Sequence, residues 1–429
     1  STTPFAKCSL KASPQPRTND SEAVAIEPSP INQTFGFAAK HTEKLTHTKI
    51  DSKIIFFIIF TLILLLITKF NAQSYYFFFI YAIFFVILRH YSLLVMNTLG
   101  KNFVFTSFGE SHGKAIGGVL DGVPAGVHID MDMIRETLDK RAGRVAPSLE
   151  DGCAYSLEFK GKGISPRALR EGDEVEWLSG VMDGVTLGTP IAFIIRNKDT
   201  RPEDYEWLKN SYRIGHADRT YQEKYGIRDH RGGGRASARE TASRVVAGSV
   251  AQQLLKEKNI HIHAELVQVG KEKNPERFDE YIAAIQRDGD SIGGVVECVI
   301  TGLPIGVGEP IFDKLQSHLA FAMMSINGCK GFEYGSGFEG VCLKGSEMYL
   351  SDNHTLISGG IAGGISDGTP VVFRCVFKPT ASNRKTFEAI RREGDEAKGK
   401  SIGRHDACIA VRAVAVVEAM AALVVQDFF

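Results

Sequence analysis

An excess of charge of either sign is missing from this sequence. Across 429 residues, 50 Lys and Arg offset 50 Asp and Glu, so the whole-chain field favours neither a nucleic-acid partner nor a trap for acidic substrates. Paired cysteines are missing as well. Cys8, Cys153, Cys298, Cys329, Cys342, Cys375 and Cys408 are odd in number and far apart, with no CxxC and no histidine at zinc spacing. They give no ground for a disulfide framework or a metal site, and they read as reduced thiols in a reducing compartment, most of them small core residues. No repeat of solenoid period is present. No GxxxxGK[ST] occurs, so a Walker phosphate loop is excluded. What is present is 44% hydrophobic and 23% charged, enough to bury a substantial core in one large or two ordinary domains. That composition excludes collagenous and wholly disordered classes.

The composition is uneven. Residues 1–95 hold nine Lys and Arg against five Asp and Glu, and twelve of the 27 phenylalanines. Residues 1–53, rich in Ser, Thr, Pro, Asn and Lys, read as disordered. Two uncharged runs follow, fifteen residues from Ile54 to Thr68 and nineteen from Phe70 to Leu88. As helices they would span roughly 22 Å and 28 Å, against a hydrocarbon core of about 30 Å. They begin too far into the chain for a secretory signal, and no small-residue cleavage site follows. Two readings stand: a membrane hairpin over residues 54–88 with Lys49, Lys53 and Arg89 on the cytoplasmic side, or translated upstream sequence absent from the working protein. Met96, immediately before the composition turns to that of a soluble enzyme, favours the second. The expected division is therefore a low-complexity and hydrophobic extension, 1–95, and a soluble main body, 96–429.

In the main body, short β-branched or aromatic runs bounded by Gly or Pro predict strands at Phe103–Phe108, Ile191–Arg196, Ile262–Val269, Gly294–Thr301 and Val371–Phe377. Helices are predicted at Met131–Lys140, Pro202–Asn210 and Pro275–Arg287, and a last one from Ala407 to about Gln426. That last helix is apolar nearly all round, so it must be buried in the core or against another subunit.

Three clusters can carry chemistry. Gly109-Glu-Ser-His-Gly113 matches the GxSxG elbow of serine hydrolases, but the following Lys-Ala-Ile-Gly-Gly-Val is not the helix an elbow needs. A structural turn, or His112 as a proton donor, is the better reading. The stretch Arg213–Arg244 has seven arginines and Lys224 against four acids. Within it Gly232–Gly234 lead into an expected capping box of Ser237 and Glu240, with a helix from Ala238 whose apolar face carries Ala242, Val245, Val246, Ser249 and Leu254. A helix N-terminus flanked by Arg235 and Arg239 suits phosphate or carboxylate; the alternative is a solvated basic face. His216 lies just upstream and titrates near neutrality. The third cluster joins the glycine run 359–368, Lys378-Pro-Thr-Ala-Ser382, and Arg404-His-Asp406. The default reading of Asp406 is a cap for the last helix, with Arg404 as its ion-pair partner.

Together, Gly109-Glu-Ser-His-Gly with Asp121-Gly-Val-Pro, Gly233-Gly-Arg-Ala-Ser-Ala-Arg-Glu-Thr, and Arg404-His-Asp leading to Glu418-Ala-Met resemble the three signatures of chorismate synthases, in order and over residues 96–429. The resemblance implies an α+β, βαβ-sandwich lyase that forms chorismate by 1,4-anti elimination of phosphate from 5-enolpyruvylshikimate 3-phosphate, in the shikimate pathway. It further implies a cytoplasmic homotetramer that takes no nucleic acid and no metal. The reaction would require reduced FMN without net redox change. With no reductase domain of its own, the chain would depend on an external flavin reductase, NADPH serving only indirectly. By the same resemblance His112 protonates the departing phosphate, His216 acts near flavin N1, and Asp406 helps move the proton at N5. Substrate anions fall to Arg141, Arg144, Arg213, Arg239 and Arg404. Flavin contacts fall to Arg235, Ala236, Ser237, Asn327, Gly328, Gly363, Lys378, Pro379, Thr380, Ala381, Ser382 and Arg404. The chain departs from the usual Arg-Arg-Arg-Pro-Gly-x-Ser-Arg segment with Asp139-Lys-Arg-Ala-Gly-Arg-Val-Ala-Pro, in which the later arginine is shifted, and it adds a stretch near Ser148–Ser165. Ile214 and Ala236 replace a more usual proline and serine.

Overall fold

The structure, a computed structural model, describes residues 97–144, 170–349, 357–381, 386–391, 396–400 and 406–429. The chain divides between Met96 and Asn97. The two apolar runs of the front segment and the added stretch near Ser148–Ser165 lie outside the described residues.

In chain order the first part comprises β1 (Thr98–Leu99), β2 (Val104–Phe108), β3 (Ala115–Asp121), β4 (Ala125–His128) and α1 (Met131–Ala142), then β5 (Val175–Trp177), β6 (Val181–Met182), β7 (Val185–Leu187) and β8 (Ile191–Arg196). There follow β9 (Ser211–Arg213), α2 (Asp218–Tyr225), α3 (Thr241–Glu257), β10 (His261–Val269), α4 (Phe278–Arg287), β11 (Gly294–Thr301), α5 (Leu315–Met324) and β12 (Cys329–Tyr334). The last part holds α6 (Gly345–Tyr349), β13 (Ile361–Ala362), β14 (Ile365–Ser366), β15 (Val371–Phe377), β16 (Thr386–Arg391), β17 (Glu396–Lys400) and α7 (Ala410–Gln426).

Two antiparallel sheets enclose a layer of helices. One has the order β1-β2-β3-β8-β5 and the other β10-β11-β15-β12. Helix α3 packs on β2, β3 and β8 from one side and on β10 from the other, while α7 lies along α3 and covers β10 and β11. The fold is therefore α+β, a sheet-helix-sheet sandwich. Alternation in β8 drives Ile191, Phe193 and Ile195 into the core, each such side chain contributing about 1.5–3 kcal/mol on burial.

The α3–α7 contact sets the spacing of the middle layer. A Cβ on Gly248 would come within 2.4 Å of Ala419 Cα and Cβ, so the two helices approach at a distance that only glycine allows. Val245, Val246, Ser249 and Leu254 of α3 are buried, as the periodicity predicted. Helix α7 buries its face all round within its own chain, resting on α1, α3, α5 and strands β10 and β11 of the second sheet; it needs no partner subunit for that. Cys298, Cys329, Cys375 and Cys408 are buried thiols, while Cys342 is exposed.

The structure moves several predicted boundaries. Pro202–Asn210 winds as a 3-10 helix. The predicted helix from Pro275 starts with a 3-10 turn before α4. Helix α7 begins at Ala410 behind an Ile409 N-cap, three residues later than predicted.

Candidate functional site

The site is built where β2, the arginine-rich window and the loops after β15 converge. Gly109 ends β2 with φ +92°, and a Cβ there would meet the Ala115 carbonyl at 2.3 Å. The chain therefore turns directly into strand β3, and the hydrolase elbow is excluded because no helix follows Ser111. Ser111 and His112 are both buried, with Ser111 Oγ 3.1 Å from His112 Nδ1. The Tyr205 ring meets the imidazole edge-on, centroids 4.9 Å apart.

Opposite lies the glycine loop. A Cβ on Gly232 (φ +66°) would fall 2.1 Å from His112 Nδ1, and one on Gly233 (φ +93°) would fall 2.8 Å from His216 Cε1. Glycine is required at both positions because the backbone passes directly against both imidazoles. Helix α3 does not open on the expected capping box. Ser237 Oγ accepts from Arg239 N, within a 3-10 turn Ala238–Glu240, while Glu240 pairs forward with Arg244 at 3.0 Å. The pull of the Arg244 guanidinium, one helical turn on, replaces the reciprocal bond to the cap.

The arginine window is not a solvated basic face. Arg213 Nε lies 2.8 Å from Asp218 Oδ2, Arg231 pairs with Asp229, and Arg239 pairs with Asp173. Asp173 also holds Arg141, Nη2 to Oδ2 at 3.0 Å, so one buried carboxylate bridges two guanidiniums from positions 141 and 239. Burial alone would raise the Asp173 carboxyl, but the two arginines hold it down at about 2. Burial presses Arg141 down to about 10, which leaves it charged at neutral pH beside Asp173. Arg141 Nε and Arg239 Nη2 are buried without a hydrogen-bond partner among the described residues. A buried donor in that state is costly until an acceptor arrives.

The far wall comes from the loop after β15 and the entry to α7. Lys378 Nζ donates to Gly215 O at 2.5 Å, and Thr380 Oγ1 donates to Asp406 O at 3.0 Å. Burial lowers the Lys378 ammonium from its ordinary value, with Lys330 adding to the effect. Asp406 does not take the cap position of α7, which Ile409 holds; its Oδ2 accepts from Arg412 Nη1 at 2.9 Å. Arg412 Nε also donates to Arg141 O at 3.1 Å, tying the two walls together.

These walls enclose a cavity of about 410 Å³. His112, His216, Asp406, Arg141, Arg213 and Arg239 line it, with Ala236, Ser237, Asn327, Gly328 and Lys378, Pro379, Thr380 and Ala381. The family's own sequence profile, chorismate synthase, matches residues 103–429.

The chain belongs to the chorismate synthase family. It is accordingly a lyase. The chorismate synthase of Christiangramia forsetii is 46% identical over 362 residues, covering 78% of this chain and 97% of the relative. That of Cytophaga hutchinsonii is 44% identical over 366 residues, with 78% and 97% covered. A solved structure, "Crystal Structure of Chorismate Synthase", superposes with a TM-score of 0.56 at 28% identity, over 77% of this chain and 92% of that one.

Against this family background, three sequence-predicted site residues are off the cavity wall. Arg144 turns to Asp139 at 2.7 Å and to the Glu171 carbonyl. Arg235 reaches back to the carbonyls of Gly109 and Ser107, each at 3.3 Å. Gly363 and Gly364, with φ +64° and +108°, form the tight turn between β13 and β14, so turn geometry accounts for that part of the glycine run. Ser382 and Arg404 lie outside the described residues. Sequence reading missed Glu171, Tyr205, Tyr221 and Arg412 on the cavity wall. Only Arg412 left a signal, as the lone cation in a helix that is apolar apart from Glu418 and Gln426. Among the described residues no group of three or more His, Cys, Asp or Glu could hold a metal ion.

Proposed function

We propose that this chain converts 5-enolpyruvylshikimate 3-phosphate into chorismate by 1,4-anti elimination of phosphate, with reduced FMN as its cofactor. The observation that supports this reading is the meeting of two imidazoles, two carboxylates and four guanidiniums around one cavity. A substrate carrying a phosphate and carboxylates needs planar donors, and the unbonded Arg141 Nε and Arg239 Nη2 are such donors.

The residues present also fit a flavin. Asn327 Oδ1 is a buried acceptor with no hydrogen-bond partner among the described residues, and a Cβ on Gly328 would meet nothing within 4 Å. An open backbone beside an unmet acceptor suits a flat ring whose edge carries N–H and C=O groups. Ala236, Ser237, Asn327, Gly328 and the loop Lys378–Ala381 would hold it. When bound, reduced FMN supplies transient electron density to the reacting ring, so the elimination has no net redox change.

The chain's own residues do the rest. Arg141, Arg213 and Arg239 bind and orient the substrate anions. His112, positioned by Ser111 and Tyr205, gives its proton to the departing phosphate. His216 acts near flavin N1, and Asp406, oriented by Arg412, helps move the proton at N5. Burial of these groups excludes water, which strengthens each electrostatic contact. Residues 96–429 act as the catalytic domain of a cytoplasmic homotetramer, supplied with reduced flavin by an external reductase that draws on NADPH.

Anaerobic incubation with 5-enolpyruvylshikimate 3-phosphate and photoreduced FMN tests the reading. Chorismate and phosphate should appear in equal amounts, from the full chain and from protein beginning at Met96. Absence of both products, or fluorophosphonate labelling of Ser111, would reject it.

A further inference from the structure

Strand β9 ends at Arg213, Gly215 turns the chain with φ +74°, and α2 opens at Asp218. The Asp218 carboxylate closes this turn on itself. Its Oδ2 accepts from Arg213 N at 3.0 Å and Arg213 Nε at 2.8 Å; its Oδ1 accepts from Arg213 Nη2 at 2.9 Å and lies 2.8 Å from His216 Nδ1. Arg213 Nη2 is also 3.2 Å from the same ring nitrogen.

These distances decide where the imidazole proton sits. A carboxylate can only accept and a guanidinium can only donate, so Nδ1 serves one of them. The carboxylate oxygen is nearer, and Arg213 Nη2 already has Asp218 Oδ1 as its acceptor. We propose that Asp218 is a positioning residue: it locks His216 with the proton on Nδ1 and the lone pair on Nε2, while the same carboxylate fixes the Arg213 fork. The edge carrying Cε1 and Nε2 lies against Gly233, His216 lines the cavity, and no described residue hydrogen-bonds to Nε2.

The charged groups that face this ring among the described residues are Arg213 on its own turn, Asp218 at the head of α2 and Lys378 from the loop after β15. Burial lowers the imidazole from its ordinary value despite Asp218, so the neutral ring, and hence its tautomer, is what counts at neutral pH.

The inference rests on His216 belonging to the proposed reaction site, yet its test reads the resting chain. Nitrogen-15 NMR of histidine-labelled full-length protein at pH 8, with His216 assigned through His216→Gln, should show a protonated Nδ1 and a bare Nε2. A bare Nδ1, or an even mixture, would overturn the proposal whether or not chorismate forms. In Asp218→Asn the single amide oxygen should stay at the Oδ2 position, which serves two donors, leaving the NH2 to face His216. The ring should then flip to Nε2–H, and kcat should fall by about a hundredfold, within the range of a misplaced acid–base group. A folded Asp218→Asn protein that keeps Nδ1–H would equally overturn it. If that variant does not fold, the wild-type resonances decide alone.

Discussion

Arg141 and Arg239 are 1% and 5% exposed, share the buried Asp173 and face the cavity, whereas Arg144, paired with the part-exposed Asp139 and the Glu171 carbonyl, and Arg235, bonded to the Ser107 and Gly109 carbonyls, stand off the wall. All four belong to basic stretches that look alike in sequence. What separates them is the acceptor each one finds. A buried carboxylate between two guanidiniums cannot satisfy ten N–H donors, so it fixes both forks and leaves nitrogens unmet, as at Arg141 Nε and Arg239 Nη2. Arg144 and Arg235 leave no buried nitrogen unmet among the described residues. Nearness to a motif therefore says less about a binding role than the acceptor to which the guanidinium is tied.

The largest effects should come from groups that the arginines serve. His112→Ala and His216→Ala should each slow elimination by about two to four orders of magnitude with flavin affinity and fold retained. Stopped-flow phosphate release checks this, and near-normal turnover would remove that histidine from the mechanism. Asp406→Asn should lower turnover about tenfold or more while the melting temperature stays within a few degrees, since the N-cap position of α7 is Ile409 and Asp406 makes no cap hydrogen bond to it. A change in melting temperature alone would make Asp406 a structural residue.

The pairing of Asp173 predicts a stability effect with a defined pH window. Its carboxyl is lowered from an ordinary 3.8 to about 2, so its stabilisation is complete above pH 3.8 and is lost as the pH falls through about 2. At pH 7, Asp173→Asn should destabilise the protein by about 3 kcal/mol, because buried Arg141 loses its counter-charge and Arg239 keeps only the more distant Glu171. The gap from wild type should narrow by about 2 kcal/mol in going from pH 5 to pH 2. Denaturant titrations across that range measure it, and a gap independent of pH would show that the carboxylate is not the common anchor of the pair.

The features legible in sequence were those decided locally. The runs Ile191–Arg196, Gly294–Thr301 and Val371–Phe377 are strands with the predicted ends, because β-branched alternation and flanking Gly or Pro set them. The glycines at 232 and 233 read in sequence as a lead-in to a helix N-terminus, while the two imidazoles that require them come into view only in the fold. The Arg141–Asp173–Arg239 bridge spans separations of 32 and 66 residues, and no spacing rule reaches that far. The same limit explains Asp406. Before an apolar helix an aspartate reads as a cap, and only the folded chain shows Arg412, six residues on, taking its carboxylate.

The central claim is that the fork held by Asp173 recognises substrate and that the displaced Arg144 does not. Michaelis constants for 5-enolpyruvylshikimate 3-phosphate in Arg239→Lys and Arg144→Lys, measured with saturating reduced FMN, test it directly. Lysine keeps the charge and loses the planar fork, so loss of a charge-assisted hydrogen bond should raise the constant by about ten- to a hundredfold at position 239. At position 144 it should move by less than about threefold, the span of a surface contact. Equal constants for the two variants would contradict the assignment of the phosphate clamp.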